Sequence, residues 1–246
     1  MLHRLVLLTL LAAFVLPLVV AAAPAPRFRV LVFSKTAGFR HTSIPSGIVA
    51  LQKLGAEHDF GVDATEDAAA FTPENLAQYR VVVFLSTTGD VLDEAQQAAF
   101  QGFVRGGGGF VGIHAAADTE YDWPWFGRLV GAYFDSHPHQ QDADIVVQDP
   151  AHPSTQMLPE RWRRFDEWYN YRANPRDSVA VLAVLDEATY EGGNMGDDHP
   201  IVWAHAYDGG RAWHTGLGHT EASFEEPLFL QHVLGGIEWA AGGAAD

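Results

Sequence analysis

The sequence predicts an α/β protein with a mostly parallel sheet and helices on both faces. Two observations carry this. Short apolar runs without alternation, such as "RVVVFLST" (Arg80 to Thr87), read as strands buried on both faces. Segments of helical periodicity separate them, and a strand, helix, strand, helix rhythm builds right-handed βαβ units. In such sheets ligands gather outside the carboxyl ends of the strands. That singles out the loops Thr36 to Ser43, Thr87 to Asp90 and His114 to Trp125.

Taken in order, the chain opens with Met1-Leu2-His3-Arg4, a short positive stretch. Leu5 to Val20 is apolar apart from Thr9 and Pro17, and Ala21-Ala22-Ala23 offers a small-residue cleavage site. Residues 1–23 are therefore expected to be a signal peptide, and 24–246 one exported domain, in a bacterial periplasm or outside the cell. The apolar run is short for a membrane span and carries a proline. "RVLVFS" (Arg29 to Ser34) is the first strand. Ile44, Ile48, Leu51 and Leu54 then recur at helical spacing, with Ser43 as cap, Pro45 in the first turn and Gly55 as the expected end. Phe60 to Thr65 is a weaker strand and Arg80 to Thr87 the clearest one. Asp93 and Gln96 form a capping box before a helix that places Ala95, Ala99 and Phe103 on one face. Gly106 to Gly109 ends it, and "GFVGIH" returns as a strand. The second half is less regular. Asp144 to Gln148 and Ser178 to Leu185 read as strands, and Ile201 to Tyr207 and Arg211 to Leu217 flank the hairpin signal Asp208-Gly209-Gly210. Pro227 opens a closing helix with Phe229, Val233 and Ile237 on one stripe.

The 246 residues carry 15 Lys and Arg against 31 Asp and Glu, a net charge of -16. That argues against nucleic acid or an anionic membrane as a partner, because both call for a basic patch. The chain has 0 cysteines, so it has no disulfide, thiolate nucleophile or cysteine-based zinc site.

Histidine is the distinctive usage, with 12 in the chain. His114 ends the "GFVGIH" strand, where it could act as base, electrophile or metal ligand, or simply bond backbone at a tight turn. "GFRHTS" places Gly38, Arg40 and His41 after the first strand: Gly38 for close backbone approach, Arg40 and His41 for a polar ligand. "GLGHTEASF" puts His219 and Glu221 two apart, on one face if the segment is extended. A carboxylate there would orient the imidazole. "FDEWYNY" sets Asp166, Glu167 and Tyr169 among aromatics, where a desolvated carboxyl could act as an acid. "DTEYDWPWF" sets Asp118 beside Trp123 and Trp125, flat faces of the kind that suit a sugar ring, or a plug over the sheet.

Together "VFSKTAGFRHTSI", "GGGGFVGIHAAADTEYDWPWFGRLVGAYF", "DEWYNY" and "DHPIVWAHAYDGGRAWHTGLGHTEASF" resemble the ThuA-like, trehalose-utilisation family. The resemblance implies a flavodoxin-like fold of the class I glutamine amidotransferase type, with a nucleophile elbow after a central strand. By the same resemblance His114 takes the place of the elbow cysteine, and His219-Thr220-Glu221 looks like the His-x-Glu of the triad. With no cysteine, thiol-based glutamine hydrolysis is excluded. The implied substrate class is a disaccharide such as trehalose, or its 3-keto derivative.

Three functions stay open on the residues. The first is a sugar-processing enzyme in which His114 and His219 act as acid/base or metal-binding groups and Glu221 orients His219. Gly38, Arg40, His41, Asp118, Glu167 and Tyr169 would line its pocket, and Trp123 would stack on the sugar. The second is a carbohydrate-binding module that performs no chemistry. The third is a hydrolase whose divalent metal is held by His41, His114 and His219 with Asp118 or Glu221.

Overall fold

In the computed structural model, which describes residues 25–242, the first apolar run forms β1 (Arg29–Phe33), and the first half alternates as expected. After β1 come α1 (Ile44–Glu57), β2 (Gly61–Thr65), α2 (Pro73–Leu76), β3 (Val81–Leu85), α3 (Glu94–Arg105) and β4 (Gly109–Ile113). The rest comprises α4 (Pro124–Val130), β5 (Phe134–Ser136), β6 (Gln141–Val147), β7 (Arg161–Asp166), β8 (Asn170–Tyr171), β9 (Ala180–Asp186), β10 (His199–Tyr207), β11 (Gly210–Thr215) and α5 (Pro227–Ala240). The expected signal peptide lies outside the described residues. No described helix is long and apolar enough to cross a membrane.

Nine strands join in one sheet, ordered β2-β1-β3-β4-β11-β10-β9-β6-β7, while β5 and β8 make a small separate ribbon. From β2 to β11 every pairing is parallel, the flavodoxin-like half, and from β11 to β7 every pairing is antiparallel. The central strands β3 and β4 are buried along their whole length, which is why they read as unbroken apolar runs. Helices α1 and α5 meet on one face. On the other, α2 packs on α3, and Phe84 and Phe110 of the sheet meet Phe100 of α3 and Phe126 of α4.

Capping explains the start of α3. Asp93 accepts from the Gln96 N–H while the Gln96 side chain accepts from the Asp93 N–H, so two orphan donors are satisfied at once. Two local expectations about α1 need correction. Ser43 makes no capping bond; its hydroxyl donates instead to the Gly218 carbonyl, at 3.3 Å. Gly55 does not end the helix, which runs on to Glu57. It is glycine because a Cβ there would lie 2.5 Å from the Phe60 carbonyl oxygen. The β10–β11 hairpin turns on Asp208 (φ 46°) and Gly209 (φ 96°), both left-handed as a tight primed turn requires.

The topology sets up a rim. Isolated parallel bridges Thr36–Thr88 and Gly89–Thr119 carry the pairing past the ends of β1, β3 and β4, lacing three loops together. Because β11, β10, β9, β6 and β7 alternate in direction, β7 ends on the same edge as β4 and β11. Four strand steps of about 4.8 Å would put a flat β7 roughly 19 Å from β11. Yet the Asp166 carboxylate at the end of β7 accepts the Gly218 N–H just after β11, at 2.9 Å. The antiparallel extension therefore curls back over the rim. The aromatic, charged run "RWRRFD" was not expected as a strand. Its alternation puts Trp162, Arg164 and Asp166 inward and Arg161, Arg163 and Phe165 outward.

Candidate functional site

Four loops deliver four side chains to one point on this rim. His41 lies between β1 and α1, His114 directly follows β4, Glu167 follows β7 and His219 follows β11. One donor atom from each lies within 4.8 Å of all the others. His114 Nε2 is 3.1 Å from His219 Nδ1, and Glu167 Oε2 is 3.0 Å from His219 Nδ1 and 3.5 Å from His114 Nε2. The His41 ring stands edge-on to both other imidazoles, at 4.9 Å from His114 and 5.0 Å from His219 between centroids.

His114 occupies a left-handed conformation (φ 51°) as β4 turns into a short 3-10 segment, and this elbow lifts its ring over the rim. Three small residues, Ala115 to Ala117, follow and are fully buried, so the turn packs tightly. The hydrogen-bond partners assign the tautomers. His114 donates Nδ1–H to the Gly216 carbonyl at 2.9 Å, leaving Nε2 as a lone pair facing the cluster. Gln140 Nε2 donates to His219 Nε2 at 2.8 Å, so the His219 proton sits on Nδ1, toward Glu167.

The electrostatics follow from crowding. Burial, reinforced by His114 and His219, lowers the His41 pKa to about 3. Its Nδ1 is buried without a hydrogen-bond partner. Burial pushes the Glu167 carboxyl up, but the His114 and His219 imidazoles beside it outweigh burial and hold the carboxyl well below the usual carboxylate range. The Tyr169 ring packs against His114 at 4.2 Å, tilted by 38°, and burial drives its hydroxyl pKa well up.

Residues 29–240 match the ThuA family, described as trehalose utilisation. The chain belongs to the ThuA family. A ThuA-like protein from Bacteroides uniformis is 26% identical and superposes with a TM-score of 0.77 over 91% of this chain and 95% of its own. Another, from Parabacteroides merdae, is 24% identical with a TM-score of 0.74, over 89% of this chain and 92% of its own. A β-galactosidase from Bacillus circulans matches 89% of this chain with 32% of its own, at 16% identity and a TM-score of 0.57, a likeness of fold. No protein of curated function matches the sequence.

In this ThuA family member the cluster gathers four of the residues singled out in the sequence, His41, His114, Glu167 and His219, with Tyr169 packed on it. Others stand elsewhere. Glu221 is exposed and makes no ion pair with His219, so the carboxylate beside that imidazole is Glu167. The reason is local: Thr220 caps a 3-10 turn over Glu221–Glu225, so residues two apart no longer share a face. Arg40 forks onto exposed Glu66 with bonds of 3.0 and 2.6 Å and points to solvent. Gly38 donates its N–H to Thr88. Trp123 stacks on Trp125 at 4.9 Å rather than on the histidines. Asp118 is half-buried, accepts from the Tyr121 hydroxyl at 2.5 Å, and lies outside the four-donor group. Burial raises its pKa, a shift that the Tyr121 bond opposes. Sequence reasoning missed His137, whose Nδ1 lies 3.3 Å from Glu167 Oε1, and Gln140. Both sit in "SHPHQQ", a polar stretch with no periodicity to place it.

Proposed function

We propose that this chain is a cation-assisted acid/base enzyme of carbohydrate metabolism. Its substrate would be a disaccharide or the 3-keto derivative of one, and its ion would be held by His41, His114, Glu167 and His219. The carrying observation is the convergence of four donor atoms, from four separate loops, within 4.8 Å of one another. The spacing suits an ion. Metal–ligand bonds of about 2.1 Å set donor separations of roughly 3.0 Å in octahedral and 3.4 Å in tetrahedral geometry. The separations of 3.0, 3.1 and 3.5 Å among His114, Glu167 and His219 lie close to that range. The unpartnered His41 Nδ1 supports the same reading, because a buried polar nitrogen left unpaired costs about 1–3 kcal/mol. Three imidazoles and one carboxylate suit zinc, manganese or iron better than calcium.

When bound, a divalent cation would supply Lewis acidity toward a sugar carbonyl or hydroxyl oxygen. The side chains prepare for it. His114 keeps its proton on Nδ1 through Gly216, so Nε2 is free to ligate. His219 can do the same once the Gln140 amide rotates, offering its oxygen to Nε2–H. Glu167 contributes negative charge. The His137 side chain, 42% exposed and touching Glu167, stands where a proton can pass between site and solvent. Phe39, 65% exposed and 4.9 Å edge-on to His41, offers the apolar face for a sugar ring, the role the sequence suggested for Trp123. The family's description, trehalose utilisation, supports a disaccharide as the substrate class. Residues 1–23 would direct export and be removed.

Turnover of a disaccharide and of its 3-keto derivative is expected to fall by about 10²-fold or more in His114→Ala and in His219→Ala. Wild-type turnover by both variants would contradict the catalytic reading. Sugar binding without product by the unaltered protein would make it a binding module.

A further inference from the structure

Beneath the cluster lies a second, largely buried polar network that touches none of the four donor atoms and reaches Glu226 at its outer end. Its centre is Asp166, which has no exposed surface. Its Oδ1 accepts the N–H of His219 and of Glu167, both at 3.0 Å. Its Oδ2 accepts the Gly218 N–H at 2.9 Å and the Ser223 hydroxyl at 3.3 Å, and pairs with Arg164 Nη2 at 3.3 Å. Arg164 is itself buried, lies 4.8 Å over both the Trp162 and Phe229 rings, and donates to Ser223 at 2.9 Å. The Gly218 peptide accepts the Ser43 hydroxyl on its other side.

Connections run from this network to each of the four loops that carry the cluster. Glu167 and His219 are bonded through their own backbone N–H groups. Ser43 is two residues from His41. Gly216, which takes the His114 Nδ1 proton, is two residues from Gly218. The four loops share no continuous backbone, and a strand curled back from the far edge of the sheet carries one of them. Something must register them against one another to a few tenths of an ångström.

We propose that Asp166 is a positioning residue: it locks the loops of Glu167 and His219 together and, through the Gly218 peptide and Ser43, sets the place of His41 and His114. The assignment rests on reading the cluster as a cation site only for its consequence on affinity. The geometry of the imidazoles is a consequence that holds without any ion. A carboxylate suits the role because five donors from three segments converge on it and it needs no donor of its own. Asparagine would keep the shape but turn an NH₂ toward those donors.

The test compares the unaltered chain with Asp166→Asn and with Ser43→Ala, a small change at a buried hydroxyl that removes one bond at the far end of the network. Imidazole ¹⁵N NMR of the metal-free proteins reads the His114–His219 contact. Co²⁺ titration followed by visible absorption reads the ligand geometry. Asp166→Asn is expected to move the His114 and His219 ring signals, to weaken Co²⁺ binding by about 10- to 100-fold and to change the shape of its absorption bands. Ser43→Ala is expected to move the His41 signals and to weaken binding less. A purely structural role would lower the unfolding midpoint and leave the ring signals and the Co²⁺ spectrum as they were, and that result overturns the proposal. Should Asp166→Asn not fold, unchanged ring signals in Ser43→Ala overturn it equally. If the unaltered chain takes no Co²⁺ while the ring signals still move in Asp166→Asn, the cation reading fails and the positioning role stands.

Discussion

His114, the residue directly after β4, is held in a left-handed turn, a conformation that costs a non-glycine residue about 1–2 kcal/mol. The gain is an imidazole aimed at the rim with its proton fixed by the Gly216 carbonyl. Opposite it, Glu167 takes the place that spacing suggested for Glu221. The two acids make a sharp comparison. Glu167→Gln removes the charge against which two imidazoles lean and is expected to weaken divalent-ion binding by at least about 10-fold. Glu221→Gln, on an exposed turn, is expected to leave it unchanged. Calorimetric titration of the two variants decides, and equal losses would return Glu221 to the site. His114 was legible in the sequence because a Gly-rich strand ends on it, and His219 because a hairpin strand precedes it. Glu167 was named only as one acid among aromatics, since nothing in "FDEWYNY" reveals that its strand returns to the rim. Arg40 and Trp123 stand outside the cluster for opposite reasons. A surface acid captured the first, and an aromatic neighbour captured the second.

At the scale of elements, the strands and the two long helices of the parallel half were readable, while α2 was not. β1, β3, β4, α3, the β10–β11 hairpin and α5 follow from local signals: apolar runs, a capping box, a Gly turn, and proline at the first helical position. Gly55 shows where local signals stop. Glycine is a helix terminator by preference, but here tertiary contact with Phe60 uses its missing side chain inside the helix. The β7 strand was hidden because arginines dominate its exposed face and a buried arginine and aspartate occupy its inner one. An inward-facing ion pair breaks the apolar alternation on which strand recognition depends. The ribbon of β5 and β8 was illegible for a different reason, being too short to carry any period.

At the scale of the molecule, the curl of the antiparallel extension makes one rim out of loops far apart in sequence. The buried histidines of the core also give the whole fold a pH dependence. His214 and His232 are fully buried, and burial lowers each pKa from 6.5 to about 3. In the unfolded chain they protonate below about 6.5, whereas in the fold they stay neutral until about pH 3. The unfolded state therefore binds more protons across that window, and stability rises with pH within it. Acidification from pH 7 to pH 5 is expected to lower the urea midpoint, the unfolding free energy falling by about 1 kcal/mol per pH unit for each histidine. Between pH 7 and pH 8 their contribution is flat. A midpoint unchanged from pH 7 to pH 5 would contradict the burial of these rings.

The chemistry of the rim depends on whether it holds an ion. The direct measurement is elemental analysis of the purified chain, stripped with a chelator, re-equilibrated with zinc or manganese and dialysed, alongside His114→Ala and Glu167→Gln. One ion retained per chain, and lost from both variants, is the expected result. A chain that retains none, or variants that retain as much as the parent, would contradict it.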